Sequence, residues 1–168
     1  MAVTPDLTLR RATVEDAPAV AEVWLRSRRA AAPAIPASIH GDDDVRRWVA
    51  EVLIPEGRTW VAADAGDVVA MMSLREGWID QLYVDPSHQG RGVGTLLVQI
   101  AQEQHPEALD LWTFQANEGA RRFYERHGFT VVEMTDGDNE EGAPDVRYHW
   151  KGQQAQQGAS SSPSPRTN

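Results

Sequence analysis

Gly90, Gly92 and Gly94 alternate within Gln89-Gly90-Arg91-Gly92-Val93-Gly94-Thr95, between a strand-like run ending at Val84 and a helix-like run beginning at Val93. Glycine adopts backbone angles closed to other residues, so such a loop can turn several N–H groups to one side and let a ligand approach the chain closely. Those amides add to the positive end of the following helix. The result is an anion site, best suited to phosphate.

Three phosphate chemistries compete for this loop. A Walker-type loop needs Lys and then Ser or Thr after its last glycine, but Thr95 follows Gly94 directly. A dinucleotide fold needs G-x-G-x-x-G immediately after an early strand. Here the spacing is G-x-G-x-G, five residues separate it from Val84, and the unit lies in mid-chain. The third chemistry is the pyrophosphate of coenzyme A.

The run Gln89-Gly90-Arg91-Gly92-Val93-Gly94 resembles the Q/R-x-x-G-x-G/A motif of the GNAT superfamily of acyl-CoA N-acyltransferases, with Gln89, Gly92 and Gly94 on the specified positions. Downstream, Asn117, Ala120, Phe123, Tyr124, Gly128 and Phe129 are similar to that family's N-x-x-A-x-x-F-Y-x-x-x-G-F signature. The two stand in the expected order, one helix and one strand apart. The resemblance runs from about Leu7 to Trp150. It implies an α/β fold with a mixed, mostly antiparallel sheet, two splayed parallel central strands and flanking helices. It also implies an N-acetyltransferase with acetyl-CoA as cosubstrate and no metal.

The same resemblance implies roles for individual residues. Acetyl-CoA would lie where the strands Trp78–Val84 and Leu109–Thr113 splay, opened by a β-bulge in the first. Its pantetheine arm would pair with backbone at Leu82 and Val84. Its pyrophosphate would sit on the amides of Gln89, Gly90, Arg91, Gly92, Val93, Gly94 and Thr95, with Arg91 adding charge. Asn117 matches a cofactor-contacting position and can also be a plain helix N-cap. Tyr124 matches the position that protonates the departing thiolate. It also shares a buried helix side with Ala120, Phe123 and His127.

An amine acceptor must attack unprotonated, although a lysine-like amine has a pKa near ~10.4. Asp80 is the expected proton acceptor, because alternation puts Asp80, Leu82 and Val84 on one face. Pairing of Asp80 with an arginine is the competing reading. Without cysteine an acyl-cysteine relay is impossible, so direct transfer in a ternary complex is expected, with backbone N–H groups near Val84 stabilising the oxyanion.

The elements that must position these residues can be traced along the chain. Leu7–Arg11 reads as a first strand, and Thr13 can cap a helix to about Arg29 that buries Val20, Val23 and Trp24. Residues 31–40 hold Pro33 and Pro36 and read as a loop. Asp42, Asp43 and Asp44 open a second helix with Val45, Trp48, Val49 and Val52 as its stripe. Thr59–Ala63 and Val68–Leu74 form a hairpin around Asp64-Ala65-Gly66-Asp67. Trp78–Val84 is a strand closed by Asp85-Pro86. Val93, Leu96, Leu97, Ile100 and Ala101 give the apolar side of a helix to about Gln104. Leu109–Thr113, a helix from Asn117 to His127, and strands Phe129–Met134 and Val146–Trp150 complete an order βααβββαβαββ. The folded part is expected over residues 1–151, with a disordered Gln/Ser/Pro tail over residues 152–168.

Composition narrows the classes. The 168 residues are 41% hydrophobic and 24% charged, which suits one soluble domain. Twenty-five acids against 16 Lys and Arg give a net charge of −9, against nucleic-acid binding. No run approaches the ~18 apolar residues of a membrane helix. No basic region followed by an apolar run opens the chain, so no secretory signal is expected and the cytoplasm is. No cysteine is present. His40, His88, His105, His127 and His149 lack paired metal-ligand spacing. The six tryptophans fall at buried phases, with Trp24 or Trp78 able to line an acceptor pocket.

Asp42, Asp43, Asp44, Asp136, Asp138, Glu140, Glu141 and Asp145 could form an acidic rim that draws a small cationic amine, or two solvated acidic loops. A protein or peptide N-terminal or lysine acetyltransferase, and a non-catalytic acetyl-CoA sensor, are the alternatives. A homodimer stays open.

Overall fold

The computed structural model describes residues 6–153. One seven-stranded sheet runs in the order β1-β2-β3-β4-β5-β7-β6. Its strands are β1 (Leu7–Arg11), β2 (Thr59–Asp64), β3 (Asp67–Arg75), β4 (Trp78–Val84), β5 (Ala108–Phe114), β6 (Thr130–Thr135) and β7 (Asp145–Lys151). Every neighbouring pair is antiparallel except β4 with β5. Helices α1 (Ala17–Ala30) and α2 (Asp42–Trp48) cover one face; α3 (Val93–Gln104) and α4 (Glu118–Arg126) cover the other. This is the expected mixed α/β sheet with one central parallel pair.

Two cores hold the layers. On the first face Val20, Val23 and Trp24 of α1, Val45 of α2 and Val49 just after it pack on Val61 and Met71. On the second, Val93, Leu97, Val98 and Ala101 of α3 and Tyr124 of α4 pack on Met72, Ile79, Leu109 and Leu111. The β2–β3 turn places Ala65 at φ 49° and Gly66 at φ 92°. Positive φ at both central residues matches the twist of a tight hairpin.

Several expectations change in detail. Thr13 precedes a short 3₁₀ turn, Val14–Asp16, and α1 starts only at Ala17. Helix α2 runs into a π turn, Val49–Leu53, where the Ile54 amide reaches back to the Val49 carbonyl. The added residue rotates the stripe, so Val52 is exposed while Leu53 and Ile54 are buried. In α3 Leu96 points outward and Val98 takes its place in the core.

The tryptophans are less buried than their phases suggest. Trp24 is in the core, but Trp112 is exposed. Arginine guanidinium groups cover Trp60 and Trp78 at 4.8 and 5.0 Å from the ring centres. Gly152 is buried and donates to the Glu107 carbonyl, so the fold extends past residue 151. The remainder of the expected tail, residues 154–168, lies outside the described residues.

Candidate active site

Strands β4 and β5 pair only at Trp78 with Asp110 and Ile79 with Leu111. Beyond that rung they separate. On its other edge β4 stays paired with β3, but the register shifts: Leu74 faces Ile79, and Ser73 faces Gln81. Asp80 is therefore the extra residue of a β-bulge, the device that re-aims a strand next to a site.

The bulge corrects the simple alternation. Ile79, Leu82 and Val84 pack toward α3 and α4, while Tyr83 belongs to the α1 side and the Gln81 side chain accepts from the Trp24 indole at 3.0 Å. Asp80 is thus not one of an unbroken Asp80-Leu82-Val84 row. Its carboxylate is paired with Arg75, at 3.0 Å from Nε. Burial pushes the Asp80 carboxyl above its ordinary range, and the Arg75 charge opposes that shift.

The Asp85 amide donates to Val69 on β3 at 2.8 Å. Main-chain groups alternate in direction along an antiparallel ladder, so those of Leu82 and Val84 turn the other way, into the gap. The Val84 carbonyl is already engaged by Ser27 Oγ at 2.9 Å and Gln89 Nε2 at 3.1 Å. That leaves the Val84 N–H and both Leu82 groups as the free edge. Gln89 therefore uses its side chain to tie the glycine loop to the end of β4.

Gly90 and Gly92 have φ of 74° and 81°, and Gly92 is the N-cap of α3. Left-handed backbone here turns the loop amides toward the helix axis. The first intrahelical bond is from the Leu96 amide to the Gly92 carbonyl, so the Val93, Gly94 and Thr95 amides remain open. Gly94 serves packing instead, since a Cβ there would lie 3.2 Å from Phe123 Cζ. It allows α3 and α4 to approach.

The gap and the loop line one cleft of about 630 Å³. Asp80, Leu82, Val84, Gln89, Gly90, Gly92, Val93, Gly94, Thr95, Asn117 and Tyr124 all line it. Arg91 is in the loop but does not line the cleft; it is exposed. The Asn117 Oδ1 accepts from the Ala120 amide at 3.2 Å, which is the helix cap. Thr95 Oγ1 is 3.0 Å from His127 Nε2, so this side chain joins α3 to α4 and only its amide faces an anion.

Tyr124 is buried among Phe123, Phe129 and Tyr148, and its hydroxyl has no hydrogen-bond partner among the described residues. Burial pushes its pKa well above the ordinary phenol value. It is therefore a neutral donor across the physiological range.

Sequence reasoning missed the α1 side of the cleft, Ser27, Ala31 and Ile35, and also His88 and Arg126. His88 Nε2 lies 2.9 Å from Asp64 and its Nδ1 2.7 Å from Ser87 Oγ, which clamps the start of the loop to the β2–β3 turn. Neither Trp24 nor Trp78 lines the cleft; Trp112 does. Trp112 also borders a second groove of about 450 Å³, with Glu133, Asp138, Glu141 and Asp145 around it.

Half of the acidic rim is paired with arginine among the described residues. Asp42 pairs with Arg29, Asp43 with Arg46, Asp44 with Arg47 and Glu141 with Arg28. No group of three or more His, Asp or Glu that could hold a metal occurs among the described residues. No helix among them is long and apolar enough to cross a membrane.

The site thus offers an open strand edge, a cluster of amides at a helix N-terminus, and a neutral phenol. An elongated ligand with amide groups at one end and a diphosphate at the other fits those donors.

Comparison with known proteins agrees. The Acetyltransferase (GNAT) family model matches residues 19–129. The chain is 30% identical over 126 residues to the peptidyl-lysine N-acetyltransferase YiaC of Escherichia coli (strain K12), covering 74% of this chain and 84% of that protein. It is 32% identical over 136 residues to the peptidyl-lysine N-acetyltransferase YjaB of the same strain, covering 79% and 88%. The solution structure of apo YjaB superposes with a TM-score of 0.71 at 28% identity, covering 87% of this chain and 98% of that one. The PaiA N-acetyltransferase of Thermoplasma acidophilum, solved with coenzyme A, shares the fold with a TM-score of 0.65 at 16% identity, covering 87% and 99%. With its sheet parted beyond Ile79 and a matching family model over most of the fold, this chain belongs to the GNAT family and is an N-acetyltransferase that uses acetyl-CoA as cosubstrate.

Proposed function

We propose that this enzyme transfers acetyl from acetyl-CoA directly to a lysine side chain of a protein or peptide. The end of the β4–β5 ladder at Ile79 and Leu111 carries the reading of the donor site. It leaves the Leu82 N–H and carbonyl to pair with the amides of the pantetheine arm as a strand would, and the Val84 N–H free beside them. The amides of residues 90–95 would hold the pyrophosphate, helped by Arg91, and Asn117 would contact the donor beyond its capping role. The peptidyl-lysine acceptor is supported by what YiaC and YjaB are named for.

The residues then have distinct roles. The Val84 N–H would bond the acetyl oxygen as negative charge grows on it. Tyr124 would donate to sulfur as the C–S bond breaks. Its raised pKa makes full proton transfer to a thiolate uphill, so its main contribution is a strong hydrogen bond in the transition state. Asp80, directly or through water, would take the amine proton, with Arg75 holding it ionised.

A small cationic amine is the second reading, favoured by the groove beside Trp112, where Asp138 has no ion pair among the described residues. The deciding experiment is thiol release from acetyl-CoA with lysine peptides, N-terminal amines and polyamines compared at equal concentration. Lysine-dependent release supports the first reading. Release with polyamine alone supports the second. Binding of CoA with no release on any amine contradicts both and leaves a sensor.

A further inference from the structure

We propose that Arg126 binds the 3′-phosphate of coenzyme A, with Arg91 contributing from the loop. The inference rests on the placement of the pyrophosphate at the glycine loop. Among the described residues nine arginines form ion pairs with Asp or Glu. Arg11 and Arg121 bond carbonyl or hydroxyl oxygens, and Arg58 acts on the charge of Asp80. Arg91 and Arg126 have no hydrogen bond, ion pair or ring contact among the described residues. Both are exposed.

These two unpartnered cations flank one structure. Arg91 precedes the αL cap Gly92. Arg126 is carried to the same helix end by its neighbours. Phe123, three residues earlier on α4, is the ring against Gly94, and His127, the next residue, meets Thr95 at 3.0 Å. Arg126 lines the cleft itself.

Coenzyme A carries a diphosphate and a separate phosphate on the ribose 3′-oxygen. The loop amides match the diphosphate. A protein of net charge −9 repels the additional phosphate unless a local cation faces it. A guanidinium suits that role because it meets phosphate oxygens in a bidentate, charge-assisted fork. A cation in the last turn of α4 also gains from the helix dipole, and the test separates the two roles.

Kd by calorimetry, and KM where turnover is found, are measured for acetyl-CoA and for acetyl-3′-dephospho-CoA with wild type, Arg126→Ala and Arg126→Lys. Wild type is expected to favour acetyl-CoA by about tenfold or more, the scale of a charged hydrogen bond. In Arg126→Ala the ratio falls to near one, and Arg126→Lys keeps part of it. A ratio unchanged in Arg126→Ala, including one in which both constants rise together, overturns the assignment. A failed loop placement reads differently: Gly92→Asp would then leave both constants unmoved, whereas a failed Arg126 assignment leaves Gly92→Asp impaired for both donors.

Discussion

Ile79 and Leu111 form the last rung of the parallel ladder between β4 and β5, and the very next residue of β4, Asp80, is the one its bulge inserts. Loss of pairing on one edge and the bulge on the other occur at the same step of the strand. The bulge turns β4 while β3 still holds it, so the gap is built by the sheet and does not depend on a ligand to open it.

Gly92→Ala is expected to weaken acetyl-CoA binding. A Cβ there meets nothing within 4 Å, so no clash forms. The cost is conformational, since φ is 81° and a left-handed alanine loses about 1–2 kcal/mol. Thermal unfolding should fall by a few degrees. KM for acetyl-CoA should rise about tenfold if the loop relaxes and its amides turn away. An unchanged KM would detach the loop from donor binding.

Tyr124→Phe keeps the ring contacts with Phe129 and Tyr148 and removes only the hydroxyl. Stability should stay close to wild type, while kcat falls about 10²-fold. The raised pKa also sets a sign: the wild-type phenol stays protonated, so no alkaline loss of kcat between about pH 7 and 10 should come from Tyr124. A fully active Tyr124→Phe removes the residue from the acid role.

Asp80 should produce an acid limb in kcat/KM. Acting as a base it must be ionised, so the rate falls as pH falls through a carboxyl pKa lifted by burial. Arg75→Gln removes the charge that opposes this lift and should move the limb to higher pH. Asp80→Asn should lose the limb along with about 10²-fold in rate. A limb that stays in place in Arg75→Gln would assign it to another group.

Asp16 is a stability group. It receives two hydrogen bonds from Arg10, at 2.7 and 2.9 Å, and one from the Thr13 amide at 2.7 Å. The Arg10 hydrogen bonds are the main cause holding its pKa down to about 2. A depressed folded-state pKa gives stability that is complete above the unfolded value of ~4 and is lost as pH falls through about 2. Asp16→Asn should cost about 1–2 kcal/mol at pH 7 and almost nothing near pH 2, as read by denaturant unfolding at both.

Much of this was legible in the residues. The alternating run Trp78–Val84, the breaker Asp85-Pro86 and the three glycines are local signals, and local signals set β4, its end and the start of α3. The resemblance named Leu82 and Val84, and strand direction turns their main-chain groups into the gap. What could not be read depends on partners distant in sequence. The bulge at Asp80 is a mismatch between β3 and β4, so alternation along β4 alone gave the wrong row. The π turn that exposes Val52 and buries Leu53 and Ile54 packs on α1, a partner distant in sequence, and no residue type marks it. Gly94 looked like a place for ligand approach, yet Phe123 fills the space over it. Arg126 carried no signal at all, because its distinction is the lack of an ion pair among the described residues, which only three dimensions reveal.

Coenzyme A is expected to lie along β4 with its phosphates on the α3 N-terminus. Amide chemical shifts of the ¹⁵N-labelled protein, followed through a titration with coenzyme A, test it most directly. The largest changes should fall on Leu82, Val84 and residues 90–95, with β1 and β6 unmoved. Saturable shifts confined to another surface, or none at those eight amides, would contradict it.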